Sequence, residues 1–332
     1  MTQAREALGR EAMEDPAPDL GSSPRPGMVW IAGGSFQMGS DRHYPEEAPA
    51  HEVSVGGYWI DRRPVTNAEF ARFVAQTGYV TLAERPANPA DYPGAIPELL
   101  VPSSVVFAKP AGRVDLRNQF NWWSYVAGAD WRHPLGPKSS IAELAEHPVV
   151  HVAFEDARAY ARWAEKELPS EAEWEFAARG GLEGAEFVWG DELAPQGQHM
   201  ANTWQGEFPW QQLGEDGYPW TSPVGVFPAN GYGLYDMAGN VWEWTSDWYL
   251  EHSRLELSCC GLHDPRGGAA EQSCDPRMPQ VRIPRKVMKG GSFLCAPNYC
   301  RRYRPAARMP QPVDTSTCHL GFRCIVRGSP RG

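Results

Sequence analysis

Two cysteines, Cys295 and Cys300, lie five positions apart within the glycine- and arginine-rich segment 290–308. On a helix, five residues turn the chain by about 500°, so the two thiols would point apart. On a strand, an odd separation places side chains on opposite faces. Pro297, between the two cysteines, disfavours a regular element. We therefore expect a short loop that folds back and lets the two sulfurs converge.

Such a pair of thiols has a definite chemistry. Positive charge lowers the pKa of a thiol and favours the reactive thiolate. Paired thiolates are soft ligands that suit Cu(I), and the same two thiols could instead close a disulfide. The segment supplies positive charge through four arginines, Arg301, Arg302, Arg304 and Arg308.

Two other interpretations of these cysteines stay open. A cysteine in an intracellular protein is often only a small buried hydrophobic residue. A zinc site is the other possibility. Four residues would separate its first two cysteine ligands and five its last two, which is wide for a zinc knuckle, where the spacing is usually about two to four. Its ligands would be Cys295, Cys300, Cys318 and Cys324.

The composition describes an ordinary globular chain with many turns. Of its 332 residues, 42% are apolar and 22% charged, and it has 33 Gly, 31 Pro and 14 Trp. That predicts irregular loops around an aromatic core. The net charge of −10 argues against nucleic-acid binding. Without a signal peptide or an apolar run of about 18 residues, we expect no membrane contact.

The chain order predicts a mixture of short strands and helices. Residues 1–27 form a polar, proline-rich tail that we expect to be disordered. Strands are predicted at 28–31, 51–55 and 58–61, with a glycine-rich hairpin at 33–40. No lysine-serine pair or helix follows that hairpin, which argues against a phosphate-binding loop.

Three helices follow from periodicity and capping signals, at 65–74, 157–168 and 169–181. Thr66 with Glu69, and Ser170 with Glu173, form capping boxes. Two stretches are predicted to be irregular: residues 84–140, which we expect to serve binding, and residues 249–285, an insertion loop. The insertion loop holds cysteines that we interpret as structural or incidental, Cys259, Cys260 and Cys274.

Four segments together resemble one known family. Segments 290–308 and 320–324 look like the C-terminal signature of formylglycine-generating enzymes, also called sulfatase-modifying factors. Segments 168–181 and 231–248 are similar to two further motifs of that family. The resemblance covers about residues 28–326, with a short tail at 327–332. It implies a single α+β domain of the formylglycine-generating, C-type-lectin-like fold, with much irregular structure.

The resemblance also implies an activity. A member of this family would oxidise the cysteine of a Cys-X-Pro-X-Arg motif in an unfolded sulfatase chain to Cα-formylglycine, with O₂ as co-substrate. Cys295 and Cys300 would hold Cu(I), the target thiolate would join them as a third ligand, and Ser292 would contact substrate or oxygen. The alternative is a non-catalytic module of the same fold that binds protein or glycan. An iron-dependent sulfur-transfer relative would need a convergent histidine set that the sequence does not display.

Two structural calcium sites are carried over by the same resemblance. Carboxylates and backbone carbonyls are hard oxygen ligands that suit Ca²⁺, although Asp and Gly also form turns without metal. The first site would use Asn202, Thr203, Asp216 and Tyr218. The second would use Asp236, Gly239, Val241 and Glu243, with Gly239 and Val241 offering carbonyl oxygens.

Several positions depart from the family pattern, and these departures indicate the cellular compartment of the protein. Ala296 stands where some members have a histidine, and Ala178 and Pro305 stand where secreted members have bridged cysteines. Cys324 would then lack its bridge partner. All seven cysteines lie after position 258, whereas a disulfide-stapled fold would spread them. We expect a monomer in the reducing cytoplasm of a bacterium.

Overall fold

The computed structural model describes residues 26–328 apart from 91, 93 and 256–260. The expected N-terminal tail therefore lies almost wholly outside the described residues, as do Cys259, Cys260 and residues 329–332. Arg327, which we assigned to the C-terminal tail, ends the last strand of the fold.

Short strands form four small sheets in the described part of the chain. The strands are β1 Met28–Ile31, β2 Gly34–Met38, β3 His51–Val55, β4 Tyr58–Asp61, β5 Ser103–Phe107, β6 Trp123–Ala127, β7 Trp242–Trp248, β8 Leu262–His263, β9 Arg285–Lys289, β10 Arg308–Pro312, β11 Leu320–Gly321 and β12 Ile325–Arg327. The first sheet has the order β1-β4-β12, the second β10-β9-β7-β11, the third β2-β3-β8, and the fourth is the β5-β6 hairpin. Neighbours are antiparallel except β7 with β11 and β3 with β8.

Three α-helices are found in the described residues, at α1 Asn67–Thr77, α2 Phe154–Trp163 and α3 Glu171–Arg179. Both predicted capping boxes are confirmed, at Thr66 with Glu69 and at Ser170 with Glu173. The α2 prediction was displaced toward the C-terminus. Asp156 accepts a hydrogen bond from the Ala153 N–H and starts the helix early, and Glu165, at φ 55°, ends it.

The stretch 84–140 is more regular than predicted. Its β5 and β6 pair in antiparallel register, with Val105 opposite Tyr125. The parallel bridge from Val105 to Thr317 ties this hairpin to the C-terminal part of the chain. That bridge spans more than two hundred positions and cannot be recognised from local composition, whereas the prediction of loops rested on the Pro, Gly and Asn content of the stretch.

Two hydrophobic clusters fill the interior. The larger one packs α1, α2 and α3 against the sheets around Phe70, Trp174 and Trp244. The smaller one gathers Phe107 and Trp122 with other aromatic side chains next to the cysteine loop. Few helices, short strands and long loops around aromatic cores confirm the predicted α+β fold class. In the described ranges no helix is long and apolar enough for a membrane crossing.

Candidate active site

The two cysteines of the glycine-rich loop converge as predicted. The Sγ atoms of Cys295 and Cys300 lie 3.2 Å apart, and both residues are buried. Backbone bonds from the Cys295 N–H to Ser292 and from the Cys300 N–H to Ala296 fold the loop back on itself. Gly291, at φ +72°, permits this path because a Cβ there would lie 2.7 Å from the Arg302 carbonyl oxygen.

The pKa values of the two thiols are shifted in opposite directions. The hydrogen bond from Cys295 holds the pKa of Cys300 down to about 7, and the charge of Arg302 supports that shift against the cost of burial. Burial, followed by the hydrogen bond to Cys300, raises the pKa of Cys295 well above its usual value. Near neutral pH the arrangement therefore supports a Cys300 thiolate that accepts a hydrogen bond from a Cys295 thiol.

Arg302 is the arginine that serves the thiols. Its Nη1 lies 3.8 Å from the Cys300 Sγ, its guanidinium stacks 3.8 Å above the Tyr44 ring, and its Nη2 bonds Glu46 at 2.5 Å. The sequence suggested that all four arginines act on the pair, and this was wrong in detail. The other three form ion pairs with carboxylates elsewhere: Arg301 with Glu186, Arg304 with Glu47 and Arg308 with Glu171.

Ser292 faces the pair together with a histidine that the sequence analysis missed. The Ser292 N–H donates to the Cys295 Sγ at 3.4 Å, and its Oγ shares a 3.0 Å hydrogen bond with His319 Nδ1. Burial lowers the pKa of His319 to about 3, so its ring is neutral at pH 7. The ring also packs on Trp123, 4.9 Å between centroids. Its place directly before motif 320–324 was the available signal.

A cavity of about 420 Å³ opens onto these groups. Its walls are largely aromatic, and Phe120 and Tyr125 at its edge are 79% and 67% exposed. Apolar walls around two sulfurs limit the access of water, whereas the exposed rings offer a surface for a partner. The side chains on the wall that belong to the thiol pair and its immediate hydrogen-bond partners are Ser292, Cys295, Cys300, Arg302 and His319.

The four-cysteine zinc site is not formed. Cys318 accepts a hydrogen bond from the Phe107 N–H within the smaller cluster, whereas Cys324 lies in the larger core beside Asp61. Within the described residues, no three His, Cys, Asp or Glu side chains gather in a geometry that could hold a metal. Burial raises the pKa of both Cys318 and Cys324, so neither thiol is poised to react.

The first candidate calcium site has one buried oxygen that would suit a cation. Asn202 is fully buried, and its Oδ1 has no hydrogen-bond partner. Asp216 accepts hydrogen bonds from the Thr203 and Tyr218 N–H groups, at 3.3 and 2.9 Å, which closes the loop around its carboxylate. An orphaned buried oxygen next to a carboxylate-bearing loop fits the oxygen ligands that Ca²⁺ requires.

In the second candidate calcium site, one of the two carboxylates is already engaged in an ion pair. Burial raises the pKa of Asp236 to about 6, as expected for a buried carboxyl with too little compensating charge. Glu243, in contrast, is already neutralised by Arg323 through two bonds of 2.7 Å. A calcium ion here would have to share that carboxylate. The loops of the two sites are joined by the Asn240 N–H, which donates to the Asn202 carbonyl.

If these loops bind calcium as the resemblance implies, its removal is expected to lower the melting temperature by about 5 °C or more, because an ion that binds only the native state stabilises it by mass action. Scanning fluorimetry with and without a chelator measures this shift. Asp216→Asn should shrink the shift, and Asp191→Asn, at an exposed carboxylate elsewhere, should not. An unchanged transition after exhaustive chelation, with no calcium found by elemental analysis, would refute the expectation.

This chain is similar to known proteins in both sequence and fold. The family profile described as "Sulfatase-modifying factor enzyme 1-like domain" matches residues 14–328. A "Formylglycine-generating enzyme" of Mycobacterium tuberculosis is 54% identical over 302 residues, 90% of this chain and 97% of the relative. One of Mus musculus is 44% identical over 98% of this chain and 82% of the relative. The solved structure of PvdO from Pseudomonas aeruginosa aligns with TM-score 0.59 at 25% identity, over 91% of this chain and 94% of that one.

Proposed function

Because this chain belongs to the sulfatase-modifying factor family of formylglycine-generating enzymes, we propose that it activates sulfatases by oxidising one target cysteine to Cα-formylglycine. The target would be the cysteine of a Cys-X-Pro-X-Arg motif. The observation that carries this proposal is the buried thiol pair, 3.2 Å between sulfurs, on the wall of an open cavity.

The donor set fits a copper(I) ion. Cys295 and Cys300 offer two soft sulfurs, and a Cys300 pKa of about 7 makes one thiolate available near neutral pH. When bound, copper would supply the one-electron chemistry through which O₂ reacts with a thiol. The hard oxygen ligands of the two calcium candidates are unsuited to copper(I), so we assign copper to the thiols and calcium, as a structural ion, to the loops.

The remaining residues of the site have complementary roles. Arg302 stabilises negative charge on Cys300. Ser292 contacts Cys295 through its N–H, and its hydroxyl, held by His319, would be a polar contact for substrate or oxygen. The aromatic walls keep water from the sulfurs once a target chain covers the cavity.

The redox balance implies a further reactant. Conversion of R-CH₂-SH and water to R-CHO and H₂S releases two electrons and two protons, whereas reduction of O₂ to two waters consumes four of each. We therefore propose that an external thiol reductant supplies the other two electrons and is itself oxidised to a disulfide. The net products are formylglycine, hydrogen sulfide, one water and the disulfide of the reductant.

A non-catalytic binding module of the same fold is the second candidate. Such a module needs the cavity and its exposed rings but has no use for two buried thiols, one with a lowered pKa. Free Cys324 and the alanine at 178 accord with a reducing compartment. The cytoplasmic location and the monomeric state stay predictions.

A short peptide is expected to be converted, and a folded sulfatase that carries an unmodified cysteine is not. A folded target hides its cysteine and would have to unfold, at about 5–15 kcal/mol. Mass spectrometry after incubation with copper-loaded protein, O₂ and a thiol reductant measures both conversions. A peptide with serine in place of the target cysteine is the control. If the peptide is untouched, the proposed activity is wrong; if the folded protein reacts as fast, only the unfolded-substrate requirement is wrong.

A further inference from the structure

The wall of the cavity holds few groups that can supply a proton. In the proposed reaction O₂ takes up protons as it is reduced to water, whereas aromatic walls keep bulk water from the thiol pair. Arg302 is a guanidinium, which keeps its proton. Burial raises the pKa of Tyr125 and of Tyr299, so both are poor donors. Among the described residues on this wall there is no Asp, Glu or Lys, and His319 is the one histidine.

The ring of His319 connects the Ser292 hydroxyl to the cavity. Its Nδ1 lies 3.0 Å from the Ser292 Oγ. Within the described part of the chain its Nε2 has no hydrogen-bond partner, and the ring lies on the cavity wall. One nitrogen therefore contacts Ser292, and the other is open to what enters the cavity.

His151 shows how a structural histidine of this fold differs. It is fully buried, and its Nδ1 also bonds a serine hydroxyl, that of Ser104, at 2.7 Å. Its Nε2, however, bonds the Pro134 carbonyl at 2.9 Å, so both ring nitrogens are used within the fold. A histidine that served only to hold Ser292 in place would be expected to satisfy its second nitrogen in the same way. His319 does not.

Other elements fix the position of the His319 ring. The Trp242 N–H of β7 donates to the His319 carbonyl oxygen at 2.8 Å. The Trp123 ring of β6 packs on the imidazole, with 4.9 Å between centroids. The ring is thus held from two sides with Nδ1 directed at Ser292, and a proton can be exchanged between them without movement of the backbone.

The hydrogen bonds of the Ser292 Oγ allow two states of the pair. A hydroxyl has one proton and two lone pairs, and the Leu294 N–H occupies one lone pair at 3.3 Å. If the imidazole proton is on Nδ1, it occupies the other lone pair, and the O–H is free for the cavity. If the proton is on Nε2, the O–H turns to Nδ1. Both states are neutral, and they differ by one proton moved across the pair.

We propose that Ser292 and His319 form a proton relay that delivers one proton per turnover to oxygen as it is reduced. This inference rests on the proposed function. The Ser292 O–H bond breaks as oxygen gains the proton, Oγ takes the proton of Nδ1, and Nε2 takes one from the thiol reductant. The reductant is left as the thiolate that is oxidised to the disulfide. After product release, exchange with water returns the imidazole proton to Nδ1.

Two substitutions of the copper-loaded protein test the relay. His319→Asn keeps an amide group in the place of Nδ1, and His319→Gln keeps one in the place of Nε2, but neither can pass a proton across. Each should lower kcat for peptide conversion, measured by mass spectrometry, by about a hundredfold. Binding of a peptide with serine in place of the target cysteine, measured by anisotropy, should change by less than about twofold, as should copper stoichiometry.

Two controls separate the relay from a structural effect. His147→Asn removes a part-buried histidine whose Nδ1 bonds the Thr221 hydroxyl at 2.9 Å outside the cavity, and it should keep the parent kcat. The double variant Ser292→Ala with His319→Asn should be no slower than Ser292→Ala by more than about twofold, because the two residues act in one chain. Additive losses would show that His319 does not act through Ser292.

A measurement without copper follows the proton itself. Nitrogen-15 NMR of histidine-labelled, copper-free protein distinguishes protonated from unprotonated ring nitrogens, and His319→Asn assigns the signals of His319. Ser292→Ala should change the proportions of the two neutral tautomers, because it removes the partner of Nδ1. Unchanged proportions overturn the relay, and this result does not depend on whether either variant at position 319 folds.

The activity measurements are equally decisive. Parent-like kcat in His319→Asn would reduce His319 to a support for Ser292, and parent-like kcat in His319→Gln would show that Ser292 is not its outlet; either result overturns the relay. If the parent protein converts the peptide while either variant does so equally fast, the proposed function stands and this inference fails. If the parent protein never converts the peptide, the proposed function fails, whereas the NMR result still decides whether Ser292 and His319 exchange a proton.

Discussion

Substitution of either Cys295 or Cys300 by serine is expected to abolish Cu(I) binding and to lower formylglycine formation by about a thousandfold or more. Two sulfurs 3.2 Å apart are the pair of thiols on this cavity wall. Serine offers a hard, protonated oxygen in place of each, so either substitution removes one of the two thiolate donors. The loss should not depend on which cysteine is changed, although their pKa values are shifted in opposite directions.

Titration of Cu(I) in competition with a chromophoric chelator measures the first effect, and mass spectrometry of the target peptide measures the second. Cys274→Ser is the matched control, because Cys274 is a free, partly exposed thiol outside the cavity. It should keep full copper stoichiometry and activity. Undiminished affinity and stoichiometry in both Cys295→Ser and Cys300→Ser would show that the pair is not the copper site.

The features predicted well from the sequence are those with local causes. The capping boxes at Thr66 and Ser170 join residues three positions apart, so both partners are visible in one short window. The convergence of Cys295 and Cys300 followed because five-residue spacing excludes both regular elements. The anchorage of the β5-β6 hairpin escaped notice because its ties to Ser316 and Thr317 span more than two hundred positions.

The residues of the candidate site also differ in how well the sequence could predict them. Its sulfurs and Ser292 belong to one loop and could be predicted. The environment that tunes them comes from elsewhere, because Arg302 is held by Tyr44 and Glu46, and Ser292 is held by His319. Glu243 shows the same limit from the other side. The resemblance marked it as a calcium ligand, which stays a prediction, but no motif revealed its ion pair with Arg323.

The Arg323–Glu243 pair therefore has a large expected effect on stability. Both side chains are fully buried, and Trp174 donates a further hydrogen bond to the same carboxylate. Arg323 also donates to the Tyr235 and Asp236 carbonyl oxygens, which lie at the start of the second candidate calcium loop. Removal of the arginine leaves the buried Glu243 carboxylate without its partner charge and frees the loop that Arg323 holds.

Arg323→Met is expected to lower the free energy of unfolding by about 3–5 kcal/mol, the usual cost of leaving one member of a buried ion pair alone. Arg113→Met, which removes an exposed ion pair with Glu207, should have little effect because water and salt screen that interaction. Urea unfolding monitored by tryptophan fluorescence compares the variants. A double variant, Arg323→Met with Glu243→Gln, should recover part of the loss because it removes the stranded charge.

Unfolding of Arg323→Met in calcium and in chelator distinguishes the two roles of Glu243, as the partner of Arg323 and as a calcium ligand. If Glu243 can also bind calcium, the ion will neutralise the stranded carboxylate, and Arg323→Met will lose less stability in calcium than in chelator. If Glu243 serves only Arg323, the loss will be the same in both buffers. A loss below about 1 kcal/mol in both buffers would contradict the buried-pair argument itself, since burial without a partner charge is what makes the substitution costly.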